Sequence, residues 1–197
     1  MIKIGLTGGI ATGKTFISHI LEQDYNLPII DADKIVGDLY QKDKAGYLEI
    51  IKLFGYEILD KNQEIDRTKL AKIIFSDPLQ KTKLESIIHP LVWQETNSKL
   101  NKLEKDGAKI VIIVVPLLQE TSGQHRFDKI IVIQADRQTQ IKRLYERNNF
   151  NEEKSLRIIN SQSTFAQKQK IADYVIYNNL QTATEIKKQI DDILQDL

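Results

Sequence analysis

The sequence predicts an α/β fold with a mainly parallel sheet. Three observations carry that expectation. Strand-like and helix-like segments alternate along most of the chain. The stretch Lys109–Val115 is continuously β-branched after its lysine, as a strand buried on both faces requires. The short apolar run Ile2–Leu6 passes through glycines into a helical periodicity, a strand–turn–helix unit.

Five strands are expected, at Ile2–Leu6, Pro28–Ile30, Lys109–Val115, Lys129–Ile133 and Asp173–Tyr177. Helices fill the gaps. Ile17, Ile20 and Leu21 recur at helical spacing after the glycines, and Ile186, Ile190, Ile193, Leu194 and Leu197 form one apolar stripe near the C-terminus. Thr182 with Glu185 is a capping-box pattern where that last helix begins.

The region from about 34 to 105 holds helical patterns and no convincing strand. Ser76-Asp77-Pro78 supplies a cap and a first-turn proline, and His89-Pro90 is expected to end one helix and start another. A parallel crossover needs only a dozen or so residues. This much longer insertion therefore reads as a helical lobe beside the sheet.

The stretch 137–170 departs in charge. Arg137, Lys142, Arg143, Arg147, Lys154, Arg157, Lys168 and Lys170 face only Glu146, Glu152 and Glu153, in a chain whose net charge is +1. Alone, such a stretch reads as a solvated helical face. Beside a phosphate site it has the composition of an arginine-bearing lid.

Composition narrows the remaining classes. With 41% apolar and 28% charged residues over 197 positions, the chain reads as one soluble domain with a sizeable core. A net charge of +1 advertises no nucleic-acid partner. The absence of cysteine rules out disulfides, thiolate metal ligands and cysteine nucleophiles. No apolar run approaches the roughly 20 residues of a membrane helix and no secretory signal is visible, so a cytoplasmic location and no membrane partner are expected. A monomer or weak homo-oligomer is the expected assembly.

The chemistry begins at Gly8-Gly9-Ile10-Ala11-Thr12-Gly13-Lys14-Thr15, which fits G-x-x-x-x-G-K-[ST]. Between a strand and a helix, such a loop turns backbone N–H groups onto phosphate oxygens, and the helix dipole adds positive potential. Gly9, Ala11, Thr12, Gly13, Lys14, Thr15 and Phe16 are the expected nucleotide contacts. Lys14 would reach the β- and γ-phosphates, and the Thr15 hydroxyl would ligate Mg²⁺.

Asp31-Ala32-Asp33 follows the second strand, and ligands of open parallel sheets lie beyond strand carboxyl ends. Asp33 is the candidate base for an attacking hydroxyl, with helix capping as its structural alternative. His89 lies at an apolar helix junction and can serve either a structural hydrogen bond or a substrate contact. His19 and His125 read as surface residues. The third strand ends Val114-Val115-Pro116-Leu117-Leu118 without the carboxylate usual there. The metal is therefore expected to rest on Thr15, the phosphates and water, with Asp33 as a further candidate.

Together these segments resemble the dephospho-coenzyme A kinase family. The resemblance rests on Leu6 through Thr15, on Ile30-Asp31-Ala32-Asp33, on Ile88-His89-Pro90-Leu91, and on Val115-Pro116-Leu117-Leu118 with Glu120 just after. It continues through Gln140-Ile141-Lys142-Arg143-Leu144, Arg147, Ala172-Asp173-Tyr174-Val175-Ile176 and Asn178-Asn179. It implies a P-loop kinase fold: a five-stranded parallel sheet flanked by helices (about 1–33, 106–136 and 171–197), a helical CoA-binding lobe (about 34–105) and a helical lid (about 137–170).

The resemblance also implies ATP and Mg²⁺ as cofactors and dephospho-CoA as the small-molecule partner. The γ-phosphate would pass to the ribose 3′-hydroxyl, the last step of CoA synthesis. Asp33 would be the base, Asp31 and His89 further substrate contacts, Arg143 or Arg147 the lid arginines, and Asn178 would lie toward the adenine. The family often has glycine where this chain has Ala11, a substitution expected to be tolerated if φ there is negative. A nucleoside monophosphate kinase would share the loop and lid. A GTPase-type switch is suggested by Asp43-Lys44-Ala45-Gly46 and Asn101-Lys102-Leu103-Glu104, but both lie on helical patterns rather than at strand ends.

Overall fold

Five strands make one all-parallel sheet: β1 (Ile2–Gly8), β2 (Ile29–Asp31), β3 (Ile110–Val114), β4 (Lys129–Gln134) and β5 (Tyr174–Tyr177). The computed structural model describes residues 1–116, 118, 123–179 and 182–197. Strand order is β2-β3-β1-β4-β5, so β1 is central, and its register sets Leu6 against Val114 on one side and Ile131 on the other. The order reverses around β1, which places the loop leaving its carboxyl end at the switch point where open α/β sheets bind ligands.

All five strands fall where the sequence predicts them, within two residues at each end. β3 is buried from Val111 to Val114, as its unbroken β-branched run requires. One face of the sheet packs Ile4, Leu6, Ile112, Val114, Ile131, Ile133 and Ile176 against Ile17, Ile20 and Leu21 of α1 (Lys14–Gln23) and Ile186, Ile190 and Ile193 of α9 (Ala183–Gln195). Fully burying each such side chain contributes about 1.5–3 kcal/mol. Alternate residues of β4, Ile130 and Val132, pack to the other face with Leu118, Val115, Phe127 and Phe165.

Thr182 and Glu185 close the reciprocal capping box at α9, as the sequence predicts. Tyr25 ties α1 to α9: its hydroxyl donates to Asp191 Oδ1 at 2.7 Å. Burial and that carboxylate push the phenol's pKa up to about 12.

The chain divides into two compact units, Met1–Ile30 with Leu103–Leu197, and Asp31–Lys102. The second contains α2 (Ala32–Leu39), α3 (Ala45–Phe54), α4 (Arg67–Ser76) and most of α5 (Pro78–Lys105). Its own core gathers Tyr47, Ile50, Ile58, Ile65, Leu70, Leu84 and Ile88. Its strand-like content among the described residues is a single antiparallel bridge, Leu59 to Ile65.

One expectation fails here. His89-Pro90 does not divide two helices, because α5 runs unbroken through Pro90. Proline removes one backbone bond. Leu84, Ile88 and Val92, spaced four apart across it, keep the same face on the lobe's core, and Ser86, four residues before the proline, is an exposed residue. Packing overrides the local break.

The basic stretch folds as α6 (Arg137–Asn148), α7 (Glu152–Asn160) and α8 (Phe165–Gln169), each opened by a side-chain cap, Asp136, Asn151 and Thr164. No helix among the described residues is long and apolar enough to cross a membrane.

Candidate active site at the phosphate loop

The loop between β1 and α1 is held from behind. The Ile10 carbonyl accepts from Gln140 Nε2 at 2.6 Å. The carbonyls of Ala11 and Thr12 each accept from Arg143 Nη1 at 3.2 Å. Thr12 also accepts from Asn178 Nδ2 at 2.8 Å. A trans peptide sets each carbonyl opposite the next N–H. Fixing three successive carbonyls toward α6 and the end of β5 therefore turns the N–H groups of Ala11 and Gly13 the other way, while the Thr12 N–H donates to the Gly9 carbonyl at 3.4 Å. Thr12, almost fully buried, braces the turn through Oγ1 to the Gly9 carbonyl at 3.0 Å.

The helix after the loop begins without a cap. Gly13 is its N-cap residue, makes no side-chain cap and is followed by no acid in the first turn. The first-turn N–H groups, on Lys14, Thr15 and Phe16, thus face a site that attracts anions. Gly13 is obligatory twice over. Its φ of 99° is left-handed, and a Cβ there would collide with the Asn178 amide nitrogen.

Lys14 Nζ donates to the carbonyls of Gly8 and Gly9, 2.9 Å each, so its ammonium lies across the loop. Arg143 is bonded to neutral oxygens, its third bond being Nη2 to Asn178 Oδ1 at 3.1 Å. Burial pushes its pKa down and the charges of Asp136 and Glu146 oppose that shift. Two cations at an uncapped helix start, with N–H groups turned inward, can bind a polyphosphate and stabilise charge on it.

The predicted residues divide as follows. Gly9, Ala11, Thr12, Gly13, Lys14, Thr15 and Phe16 form the loop and helix start, with Arg143 and Asn178 bonded to them. Arg147 sits exposed at the end of α6, bonded to neighbouring Asn148. In the second unit, Asp31 caps α2, its Oδ1 accepting from the N–H of Asp33 and of Lys34. The capping alternative for Asp33 therefore belongs to Asp31. Asp33 lies exposed in the first turn. His89 is exposed in mid-α5, not at an apolar junction. Asn178 is buried, and its side chain is committed to Thr12 and Arg143.

Ala11 differs from expectation. Its φ is 57°, not negative, so a residue with a Cβ occupies a left-handed position at a cost of about 1–2 kcal/mol. Two residues were missed as loop holders. Gln140 reaches Ile10 from α6, and Gln162 accepts from the Ile10 N–H at 2.8 Å. Gln140 lies three residues before Arg143, on the same helical face, which is a readable signal; Gln162 offers none. Leu117 and Glu120, part of the quoted resemblance, lie outside the described residues.

Among the described residues no group of three or more His, Cys, Asp or Glu side chains is placed to hold a metal. Thr15, exposed at the helix start, can offer a hydroxyl to a divalent cation.

The family model for dephospho-CoA kinase matches residues 2–184. The chain belongs to the dephospho-CoA kinase family. A dephospho-CoA kinase of Bacillus cereus is 38% identical over 194 residues, covering 98% of this chain and 96% of that one. The crystal structure of a Thermus thermophilus protein superposes with a TM-score of 0.86 at 27% identity, covering 100% of this chain and 97% of that one. The dephospho-CoA kinase of Campylobacter jejuni has the same fold, with a TM-score of 0.71 at 24% identity and coverage of 98% and 96%. For the dephospho-CoA kinase family, the matched span takes in the loop, the lobe of Asp31–Lys102 and the three helices α6, α7 and α8.

Proposed function

We infer that this chain phosphorylates dephospho-CoA in coenzyme A synthesis, moving the γ-phosphate of ATP to the ribose 3′-hydroxyl. Membership of the dephospho-CoA kinase family supports the reaction. The observation that carries the chemistry is the phosphate loop held open from behind by Gln140, Arg143 and Asn178.

Each residue then has a task. The N–H groups of the loop and first turn hold the inner phosphates. Lys14, which donates to the Gly8 and Gly9 carbonyls, reaches the β- and γ-phosphates. Arg143, already at the loop with no carboxylate among its bonds, neutralises charge on the transferring group. Arg147 is the second lid arginine, Asn178 supports the adenine side, and His89 and Asp31 belong to the acceptor side.

Asp33 accepts the proton of the 3′-hydroxyl. The transition state is loose, so this base adds less than the positioning of the phosphates. A bound Mg²⁺ would supply positive charge to offset that of the phosphates. Thr15 supplies the hydroxyl that holds it. The enzyme works in the cytoplasm, as a monomer or weak homo-oligomer, without nucleic acid or membrane.

Incubation with ATP and dephospho-CoA, followed by mass and phosphorus NMR analysis of the product, tests this reading. One phosphoryl group on the ribose 3′-oxygen is expected. An unchanged dephospho-CoA, or a phosphate placed elsewhere, rejects it.

A further inference from the structure

In the unit Asp31–Lys102, α2 and its C-cap Tyr40 set Asp33, Gly37 and Tyr40 at spacings of four and three, which is one helical face. Arg67, the first residue of α4, lies over that face. Its guanidinium carbon is 5.9 Å from the centre of the Tyr40 ring. The heavy atom nearest to a Cβ built on Gly37 is Arg67 Nη2, at 3.8 Å. A small residue at 37 thus leaves this side of α2 open beneath the guanidinium.

Arg67 is exposed and forms none of the ion pairs seen among the described residues. Its contacts are with an aromatic face and a bare stretch of helix. Stacking on Tyr40 orients the planar guanidinium while leaving its N–H edge for an anion. Asp66, just before it, is already used: its Oδ1 accepts from the N–H groups of Thr68 and Lys69.

We propose that Arg67, held by Tyr40 over Gly37, binds the 5′-diphosphate of the acceptor. This rests on the reading that Asp33 receives the 3′-hydroxyl proton. The diphosphate leaves the same ribose through C4′ and C5′, a few bonds from the 3′-oxygen. Gly37 lies about 6 Å along the helix axis from Asp33, one turn away. One face of α2 therefore sets a carboxylate where the hydroxyl reacts and a cation one to two turns on, where the diphosphate lies. A carboxylate alone would accept any ribose; the paired cation selects one bearing 5′ phosphates.

The test compares Arg67→Met and Arg67→Lys with the unaltered chain, using dephospho-CoA and adenosine as acceptors. Adenosine carries the 3′-hydroxyl without a diphosphate. Hydrogen bonds to charged groups contribute about 1.5–3 kcal/mol, roughly 10- to 150-fold. Arg67→Met is expected to raise KM for dephospho-CoA within that range, with KM for ATP and turnover of adenosine unchanged. Arg67→Lys, keeping charge without the fork, is expected to fall between, and it carries the test alone if the methionine variant does not fold. A dephospho-CoA KM within twofold of the unaltered chain overturns the proposal. So does a parallel loss with adenosine. Failure of the unaltered chain to use dephospho-CoA would instead reject the underlying function.

Discussion

The side-chain amide of Asn178 donates to the carbonyl of Thr12 across 2.8 Å, tying the end of the last strand to the phosphate loop. The same amide accepts from Arg143, which also reaches Thr12. Three segments far apart in sequence thus meet on one peptide. Asn178→Ala should leave the Thr12 carbonyl and Arg143 short of partners, a loss of about 1–3 kcal/mol. Thermal unfolding should show the drop, and KM for ATP should rise with it.

Gly13 tests the other side of that contact. Gly13→Ala forces a Cβ into a left-handed position and against the Asn178 amide. The backbone cost alone is about 1–2 kcal/mol. Calorimetry should find ATP binding lost even where circular dichroism finds the fold retained.

Ala11 offers the reverse change. Its φ of 57° favours glycine. Relief of about 1–2 kcal/mol is partly offset by the roughly 0.5–1 kcal/mol that glycine costs in chain entropy. Ala11→Gly should therefore raise the unfolding midpoint slightly and leave turnover intact. A lower midpoint would count against the left-handed assignment.

Two neighbouring aspartates separate stability from turnover. Asp31→Ala removes the α2 cap and should destabilise the protein by about 1 kcal/mol. Asp33→Asn should leave the midpoint near its original value and ATP binding intact, while reducing kcat about 100-fold. Full turnover by Asp33→Asn would remove Asp33 from the role of base.

Acid should weaken the helix starts at Asp136 and Glu185. The Thr139 N–H pulls the Asp136 pKa down, and the Thr182 N–H does the same for Glu185. A lowered folded pKa adds stability above the unfolded values, about 3.9 for Asp and 4.3 for Glu. That stability is lost as pH falls through the lower folded values. Midpoints measured from pH 6 downward should fall below about pH 4, and less steeply in Glu185→Gln.

Much of this was legible in the sequence because the signals are local. The β-branched run at Lys109–Val115, the strand–glycine–helix pattern at residues 2–21 and the Thr182–Glu185 box each sit within one window. What was not legible depends on distance or on packing. Gln162 bonds the Ile10 amide from 152 residues away, and one glutamine in a polar stretch carries no periodic signature. Pro90 reads as a break, yet the core contacts of Leu84, Ile88 and Val92 carry the helix through it. The sign of φ at Ala11 is a property of the closed loop, fixed by bonds from Arg143 and Gln140 rather than by its neighbours in sequence.

The most direct measurement is the rate of ADP formation from ATP with dephospho-CoA against a panel of nucleoside monophosphates. Dephospho-CoA should be turned over with kcat/KM in the ordinary enzyme range, about 10⁴ M⁻¹s⁻¹ or more, and Lys14→Ala should abolish it. Faster turnover of any nucleoside monophosphate than of dephospho-CoA would contradict the assignment.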